Sequence, residues 1–430
     1  MTTRRSFLSM IASLPALALK SATNRSWCSA KAMPDSDVVP DRFTTQGTFR
    51  SLAPGAVRPE GWLDLYLNKQ ASQLSLHLPT VSWPFTEAYW AGEEKAPSWW
   101  PWEQRGYWID GALRCALVTG NQELLQVARA PVDYTLSYVL PGGYIGPAFI
   151  RDGKERDPRV DNFRWPNTVF FRALAAKAEA TNDPRIAEAI RQHYLSDHAP
   201  YGGPSRDVTN IEGMLWSCER TRDQRLLQLA EKAWADFLKS AEPGDRESGD
   251  LHPERVFANT RIHAHGVTYI EKAKLPAILY MHTGNPEHLR FALAAQERIF
   301  SHHMLIDGIP STTEDYRETT ALDAHETCNI SDHTWTWGYL MMATGDGIWG
   351  DRIERACFNA GLGAVKKDWR AVQYFSCPNQ FLATQTSTML RCVREGPKGG
   401  CPIVLTLAME SHAAGATCIA FCPTTSFACG

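Results

Sequence analysis

Apolar residues recur at helical spacing through most of the chain, and short polar breaks separate the apolar segments. Five breaks share one form, in which a Thr is followed by a turn residue and then by Asn or Asp. They are Thr119-Gly120-Asn121, Thr181-Asn182-Asp183, Thr221-Arg222-Asp223, Thr283-Gly284-Asn285 and Thr344-Gly345-Asp346. Gly or Asn suits the left-handed turn that ends a helix, and Asn or Asp caps the next one. The breaks therefore predict a series of helix hairpins.

The repetition of these hairpins predicts the fold class. Helices are expected to follow the breaks over 122–130, 184–194 and 224–238, and strand patterns are sparse. A hairpin cannot bury its apolar face alone, so repeated hairpins close into a ring or stack as a solenoid. We expect an all-α fold, an (α/α) barrel over residues 45–388, with its functional site in the loops at one end. An open α-solenoid that binds other proteins is the alternative.

Residues 1–32 predict an export signal and a lead-in rather than part of the fold. Arg4-Arg5 precedes an apolar stretch over 7–19, which is shorter than the roughly 20 apolar residues of a membrane-spanning helix. We expect twin-arginine export to the periplasm or the medium; an ordinary secretory signal is the alternative. No later stretch is apolar enough to span a bilayer, so no membrane span is expected.

Composition narrows the class of partner. The net charge of −3 provides no broad basic face, which argues against nucleic acid. The chain holds 15 Trp residues, several of them within 83–108. Aromatic faces stack on sugar rings, so this content favours a carbohydrate cleft, although core packing also explains large aromatic side chains.

The C-terminal part of the chain departs from this pattern. The helical period stops at about Thr388, and the remaining residues are rich in Gly, Thr and Cys. Five of the eleven cysteines fall there, namely Cys392, Cys401, Cys418, Cys422 and Cys429. We expect residues 389–430 to form an aberrant, disordered tail.

Candidate chemistry concentrates in residues 308–328. Glu326 and Cys328 can present a carboxylate and a thiolate to one ion, which is part of an acceptable zinc site. The alternative is that Glu326 caps the helix that follows and that Cys328 is a small core residue. Glu314 could serve as the general acid/base of a glycosidase, but Asp315 and Glu318 are equally near, and the residues alone do not choose among the three.

Two other segments predict sugar contacts. His263 and His265 stand where a helix over 267–280 begins, at the end of the barrel where a His can bind a sugar hydroxyl; a buried structural His is the alternative. Trp108 and Asp110 lie in a segment that mixes aromatic and charged residues. The alternative for this pair is a charged network beneath a Trp-rich core.

From about residue 61 to 380 the sequence resembles glycoside hydrolase family 127. The matching segments are Trp108-Ile109-Asp110-Gly111, Arg164-Trp165-Pro166-Asn167, Asn210-Ile211-Glu212, His265-Gly266-Val267, Lys274-Leu275-Pro276 and His325-Glu326-Thr327-Cys328-Asn329. The Glu-Thr-Cys element is the most specific. The resemblance implies an (α/α) barrel followed by β-sandwich domains, and retaining hydrolysis of beta-L-arabinofuranosides by a zinc-bound cysteine, whose thiolate is already deprotonated.

Carried over by motif, Glu326 and Cys328 resemble the first two zinc ligands and Glu314 resembles the acid/base. His265 resembles a substrate contact, and His263, Trp108, Asp110 and Trp165 are the other predicted contacts. The family's adjacent Cys-Cys pair has no counterpart in the printed sequence. Cys377 is the nearest thiol, and it is the predicted substitute both as a ligand and as the nucleophile beside Glu314 and Glu326.

A frameshift shortly after Thr388 would explain the missing pair. One back-translation of residues 401–430, read in a neighbouring frame, gives LPYRPNPG and RGNVHRFLPNYVVRMW, which resemble the family's next segment. The same event would remove the sandwich domains. The hypothesis is that the ancestral gene encoded an active enzyme and that the chain as written lacks the nucleophile.

The expected function is hydrolysis of a plant-derived oligosaccharide or glycoside of the beta-L-arabinofuranoside type. Two alternatives remain. An (α/α)-barrel polysaccharide lyase or unsaturated-glucuronyl hydrolase would use the same architecture without a zinc–thiolate centre. A non-catalytic sugar-binding protein would keep the aromatic cleft without competent acids.

Replacement of both Arg4 and Arg5 by Lys tests the export signal. We expect the variant to accumulate in the cytoplasm, because the twin-arginine pair is what the pathway reads. Cell fractionation with immunoblotting measures this. Unchanged delivery to the periplasm would remove the twin-arginine assignment and leave the ordinary secretory signal.

Overall fold

The computed structural model describes residues 46–81, 90, 100–152, 164–196, 200–203, 206–242, 248–365, 367, 369, 371–379 and 406–408. Helices dominate these residues, as the sequence predicts. The export signal lies outside the described residues. So does most of the tail.

The described helices follow one another in chain order. They are α1 (Gly61–Gln70), α2 (Leu76–Val81), α3 (Trp100–Thr119), α4 (Gln122–Ser137), α5 (Ala148–Asp152), α6 (Trp165–Thr181), α7 (Pro184–Ser196), α8 (Ile211–Thr221), α9 (Gln224–Ser240), α10 (Pro253–Phe257), α11 (Gly266–Ala273), α12 (Leu275–Thr283), α13 (Pro286–His302), α14 (Thr327–Thr344) and α15 (Ile348–Arg355). Short 3-10 turns span Arg206–Asn210 and Gly249–Leu251, and π turns span Ala71–Ser75 and Ala356–Gly361.

The strands are short and form two-stranded pairs. They are β1 (Thr312–Thr313), β2 (Asp315–Tyr316), β3 (His325–Glu326), β4 (Ala371–Gln373), β5 (Phe375–Ser376) and β6 (Thr406–Ala408). The pairs β1–β2, β3–β5 and β4–β6 are all antiparallel.

The structure confirms the helix ends that the five breaks predict. The turn residue of every break has a positive φ, between 51° and 74°. Asn121, Asp223 and Asn285 each accept a backbone N–H of the following helix. Arg222 adopts the left-handed turn at φ 60° without being Gly or Asn, which shows that the helix and its neighbours impose the turn.

Five inner helices, α3, α6, α8, α12 and α14, pack side by side, and each is followed by its outer partner. Edge-to-face contacts of Trp62 with Phe358 (5.0 Å) and of Tyr66 with Trp369 (4.9 Å) join α1 to the residues after α15. The first and last parts of the ring therefore meet. The fold is an (α/α) barrel, as predicted.

The predicted helix over 267–280 is divided into α11 and α12. Pro276 stands in the first turn of α12, where its missing N–H costs nothing, and it cannot donate back into α11. The break leaves Lys274 between the two helices, with its ammonium 2.7 Å from the Glu212 carboxylate.

The structure qualifies the expectation for residues 389–430. Of these residues it describes Thr406–Ala408, which pair with β4 through the register Val372 to Leu407. The other residues of the tail lie outside the described residues, and the expectation of a disordered tail remains a prediction.

None of the described helices is both long and apolar enough to cross a membrane.

Alanine substitutions at two glycines test whether α14 ends in a left-handed turn. Gly345 ends α14 at φ 72°, and a Cβ there would lie 2.6 Å from the Thr48 side chain. We expect Gly345→Ala to lower the free energy of unfolding by about 1–2 kcal/mol, because an alanine is strained in this region. Denaturant unfolding measures the change.

Gly347 provides the matched control two residues later. It has φ −62°, and a Cβ there would meet nothing within 4 Å. We expect Gly347→Ala to change stability by less than about 0.5 kcal/mol. Equal losses in the two variants would contradict the assignment of Gly345 as a left-handed helix end.

Candidate active site

Glu314 lies at the tip of the tight turn between β1 and β2. Its φ is 66°, a left-handed conformation that a non-glycine residue adopts at a cost of about 1–3 kcal/mol. The turn is held because the Gly266 N–H donates to the Glu314 carbonyl at 2.7 Å and because His265 bridges to Asp315. Strain that is supported in this way is typical of functional positions.

His265 occupies the N-cap position of α11, where the local structure fixes its ring. Its Nδ1 accepts the Thr268 backbone N–H at 3.2 Å and lies 3.0 Å from the Thr268 hydroxyl. The other ring nitrogen, Nε2, is therefore the one that carries a proton in the neutral ring. That nitrogen lies 3.0 Å from Glu314 Oε2 and 4.0 Å from Glu326 Oε2.

Glu326 ends β3 and stands at the N-cap of α14, but its side chain makes no capping hydrogen bond. The carboxylate instead points into the site, and its Oε2 is buried without a hydrogen-bond partner among the described residues. The Cys328 thiol hydrogen-bonds this carboxylate and packs on Val267. The structure therefore does not support the alternative in which Glu326 only caps the helix.

These residues form a compact group, which we call the acid–histidine cluster: His265, Glu314 and Glu326. One ligand atom of each lies within 4.8 Å of the other two. The side chains become less exposed with depth, from 44% for Glu314 to 17% for His265 and 3% for Glu326. The cluster therefore runs inward from solvent at the end of the barrel where α11 and α14 begin.

Gly266 allows this close approach. A Cβ at this position would lie 2.6 Å from the Thr312 side chain and 2.7 Å from the Asn329 amide oxygen. The start of α11 thus fits against β1 and α14 only because residue 266 has no side chain.

Burial and mutual charge shift the pKa values in the cluster. Burial, and then the negative charge of Glu314, raise the pKa of Glu326 to about 7, although His265 opposes the shift. Burial works against a charged His265, but the hydrogen bond with Glu314 and the charge of Glu326 outweigh it and raise the pKa of His265. The three groups are therefore coupled, because each carboxylate favours the protonated form of its neighbours.

Among the three acids that the sequence could not separate, Glu314 is the one that reaches His265. Tyr374, between β4 and β5, donates its hydroxyl to Glu314 Oε1 at 3.1 Å. Glu318 is exposed and lies 3.9 Å from Arg261. Asp315 forms β2 and bridges to His265 through its backbone.

Cys377 does not join the acid–histidine cluster. Its thiol is 3.6 Å from the Ala321 carbonyl and packs with Ala324 and Phe375. Burial raises the pKa of this thiol, which disfavours the nucleophilic thiolate. The position offers no support for Cys377 as a third ligand or as the nucleophile, and both roles remain predictions.

Three predicted sugar contacts are core residues instead, which corrects the sequence interpretation. Trp108 is 1% exposed, and its indole N–H donates to the Ser75 carbonyl at 2.8 Å. Trp165 is fully buried with the Arg206 guanidinium 3.3 Å from its ring centroid. Asp110 is fully buried, 2.8 Å from Arg114.

The alternative of a charged network beneath a Trp-rich core therefore describes Trp108 and Asp110 correctly. Helix period alone does not distinguish a side chain in the barrel wall from one in the cleft. His263, by contrast, is exposed in an extended segment, and its backbone N–H donates to Asp250 at 2.7 Å.

Sequence reasoning missed Tyr374 and Thr268, the residues that orient Glu314 and His265. Thr268 could have been found, because a residue three positions after an N-cap is a common capping partner. Tyr374 carries no local signal, since its contact with Glu314 joins residues 60 positions apart.

A second polar region lies at the far end of the barrel. A cavity of about 190 Å³ is bordered there by Trp216, Trp335 and Tyr339 and by residues 49–52. Each of its three acids has a partner. Glu212 accepts from Trp335, Tyr339 and Lys274, Glu179 accepts from Trp216 and Arg220, and Glu219 lies 3.5 Å from Arg220. The acid–histidine cluster is thus the better candidate for catalysis.

The fold is an (α/α) barrel, and the acid–histidine cluster lies at one end of it. Within that class, the family model described as Beta-L-arabinofuranosidase, GH127 catalytic domain, matches residues 170–401. The match covers more than half of the chain, and the protein belongs to glycoside hydrolase family 127. A comparison with curated protein sequences gives no match.

Solved structures show the same fold. A GH127 beta-arabinofuranosidase superimposes with a TM-score of 0.65 at 14% identity, covering 90% of this chain and 63% of its own. A GH127 beta-L-arabinofuranosidase from Geobacillus stearothermophilus T6 gives 0.61 at 14% identity, covering 85% and 64%. An unsaturated glucuronyl hydrolase specific for heparin gives 0.53 at 12% identity, covering 85% and 97%. The chain thus spans less than two thirds of these GH127 structures.

Proposed function

We propose that the protein derives from an enzyme that hydrolyses a plant-derived beta-L-arabinofuranoside with Glu314 as general acid/base, and that the chain as written lacks the nucleophile of that enzyme. Membership of family 127 and the geometry of the acid–histidine cluster support this proposal. The observation that carries it is the position of Glu314: a strained, half-exposed carboxylate that faces a second, buried carboxylate across His265.

The chain's own groups can position and move a proton at Glu314. The His265 Nε2–H and the Tyr374 hydroxyl each donate to a different oxygen of that carboxylate. The two bonds fix its plane toward the cleft, as general acid/base catalysis requires. In hydrolysis Glu314 would give its proton to the leaving-group oxygen and later take one from the attacking water.

The residues that are present fit a zinc ion. Glu326 offers a buried oxygen that has no hydrogen-bond partner among the described residues, and the Cys328 thiol lies beside it. Carboxylate and thiolate are accepted zinc ligands. A bound zinc would hold the Cys328 sulfur as a thiolate at the pH of the reaction.

Catalysis by the two carboxylates alone is a second mechanism for the same reaction. Oxygens of Glu314 and Glu326 lie within 4.8 Å of each other, close to the roughly 5–5.5 Å separation of carboxyl groups in retaining glycosidases. In this mechanism Glu326 would attack the anomeric carbon and Glu314 would serve as acid/base. Zinc content and the effect of Cys328 substitution separate the two.

The alternative activities have less support. The likeness to the glucuronyl hydrolase is at 12% identity and describes the fold.

Export by the twin-arginine route remains part of the proposal, because the Arg4-Arg5 motif lies outside the described residues.

Zinc retention tests the metal centre. We expect the purified chain to hold substoichiometric zinc, because Glu326 and Cys328 fill only half of the usual set of about four ligands and the Cys-Cys pair is missing. Elemental analysis after dialysis measures the content. Tight stoichiometric zinc would contradict this expectation. Cys328→Ser and Cys377→Ser would then show whether Cys377 supplies a ligand.

Turnover of an aryl beta-L-arabinofuranoside tests the reaction. We expect negligible rates for the chain as written, because the sulfur nucleophile of its relatives is missing. The protein read in the other frame after about Thr388 should be active. Both proteins are assayed at the same zinc concentration and the same pH. Equal and substantial rates would refute the frameshift hypothesis and favour the two-carboxylate mechanism.

Two isosteric variants test the role of Glu314. They are made in the protein that proves active, either the chain as written or the protein read in the other frame. Glu314→Gln should lower turnover by roughly 100-fold or more. Glu318→Gln should leave it unchanged, since Glu318 is an exposed acid on the same loop. Equal effects of the two variants would remove Glu314 as the acid/base.

A further inference from the structure

The cavity at the far end of the barrel, which we call the far cavity, is a space that the proposed reaction does not use. Its lining includes no residue of the acid–histidine cluster. Its volume of about 190 Å³ exceeds the roughly 150 Å³ of an apolar protein cavity that takes up benzene. The segment before α1 crosses one end, where the Gln46 and Phe49 N–H groups donate to the Met281 and Met342 carbonyls. The space therefore suffices for one six-membered ring and a small substituent.

Aromatic rings form much of the wall, and their polar atoms are already engaged. The Trp216 indole N–H donates to Glu179 at 2.8 Å. Trp335 and Tyr339 both donate to Glu212, at 2.9 and 3.0 Å. Much of the remaining wall is aliphatic, from Ala175, Ile190, Ile278, Met281 and Met342. Because a sugar would lose hydrogen bonds with water that this wall does not replace, the wall favours an aromatic ring.

The charges at the inner side of the far cavity do not repel an anion. The buried guanidiniums of Arg114 and Arg172 share Asp110, at 2.8 and 3.9 Å. Glu212 lies 2.7 Å from Lys274 and also interacts with Arg172. Burial raises the pKa of Asp110, which further reduces the negative charge on this side.

The opening of the far cavity carries a cation without a carboxylate. Glu179 and Glu219 lie 2.7 and 3.5 Å from Arg220. Burial lowers the pKa of His282, so its imidazole adds no charge near neutral pH. Arg50 borders the cavity from an exposed position, and its side chain makes no ion pair or hydrogen bond with a described residue. With Arg50, four arginines and three glutamates line the cavity, and the excess charge is positive.

We infer that the far cavity binds a compact aromatic carboxylate. The ring lies among the aromatic and aliphatic side chains, and the carboxylate stays at the opening beside Arg50, where water still solvates it. A carboxylate drawn into the interior would lose that water at a large cost in free energy. The inference concerns a second ligand site and does not depend on the proposed function.

Calorimetric titration of the full chain with benzoate tests the inference. Benzamide keeps the ring and removes the charge, and acetate keeps the charge and removes the ring. We expect a Kd of about 1 mM or lower for benzoate. Benzamide should bind about threefold more weakly, as the loss of one solvent-exposed ion pair implies, and acetate should not bind measurably.

Arg50→Gln and Arg58→Gln form a matched pair of variants. Both residues are exposed in the segment before α1, but only Arg50 borders the far cavity. Arg50→Gln should lower the affinity for benzoate to that for benzamide, because it removes the cation at the opening. Arg58→Gln should leave the preference for benzoate unchanged.

Ala175→Phe tests where the ring binds. Ala175 borders the far cavity from α6, so a phenyl group there would occupy the space of the benzoate ring. We expect this variant to lose binding of benzoate and of benzamide. Its melting temperature should stay at or above that of the wild type, because the added ring fills a cavity and displaces no packed side chain.

Several results would overturn the inference: no binding of benzoate, equal wild-type affinities for benzoate and benzamide, an unchanged preference in Arg50→Gln, or binding that survives Ala175→Phe. A clear loss of thermal stability in Ala175→Phe would show that the cavity is closed in solution, with the same consequence. Each of these results leaves the proposed function standing, because none of the probes is a sugar or a glycoside.

Discussion

The structure depends on pairs of opposite charges buried along the barrel axis. Arg206, in the 3-10 turn before α8, pairs with Glu271 on α11. Lys274, between α11 and α12, pairs with Glu212 on α8, and Arg114 pairs with Asp110 within α3. Removing one partner of such a pair leaves an uncompensated charge and costs about 3–5 kcal/mol, a large part of the roughly 5–15 kcal/mol that stabilises a protein. The inner helices must therefore keep their register.

The candidate site uses that rigidity. His265 and Glu326 stand at N-cap positions of α11 and α14, two inner segments that pack against each other. Between them the turn at Glu314 is held in a left-handed conformation by hydrogen bonds to the start of α11. The packing of the ring maintains this strain and the buried Glu326 Oε2, which has no hydrogen-bond partner among the described residues.

Large aromatic side chains mainly build the wall. Trp108, Trp165 and Trp337 are buried, and their indole rings fill the space where helices of the ring meet. Bulky side chains fill the space between the helices of a ring, so large aromatic residues are expected there as well as in a cleft. The Trp content is thus a weak guide to sugar binding, and the polar atoms left without partners are a stronger one.

The sequence determined the helix ends, the hairpins and hence the barrel, because capping and left-handed turns involve neighbours within about four residues. It also placed Glu326 and Cys328 at the start of a helix. The tertiary structure decided which acid of 314–318 meets His265, that Tyr374 joins them, that Cys377 stays apart, and that Trp108 and Asp110 belong to the wall. The contacts of Glu314, Tyr374, Cys377 and Trp108 join segments about 30 to 60 residues apart, and only the packing of the whole ring brings such segments together.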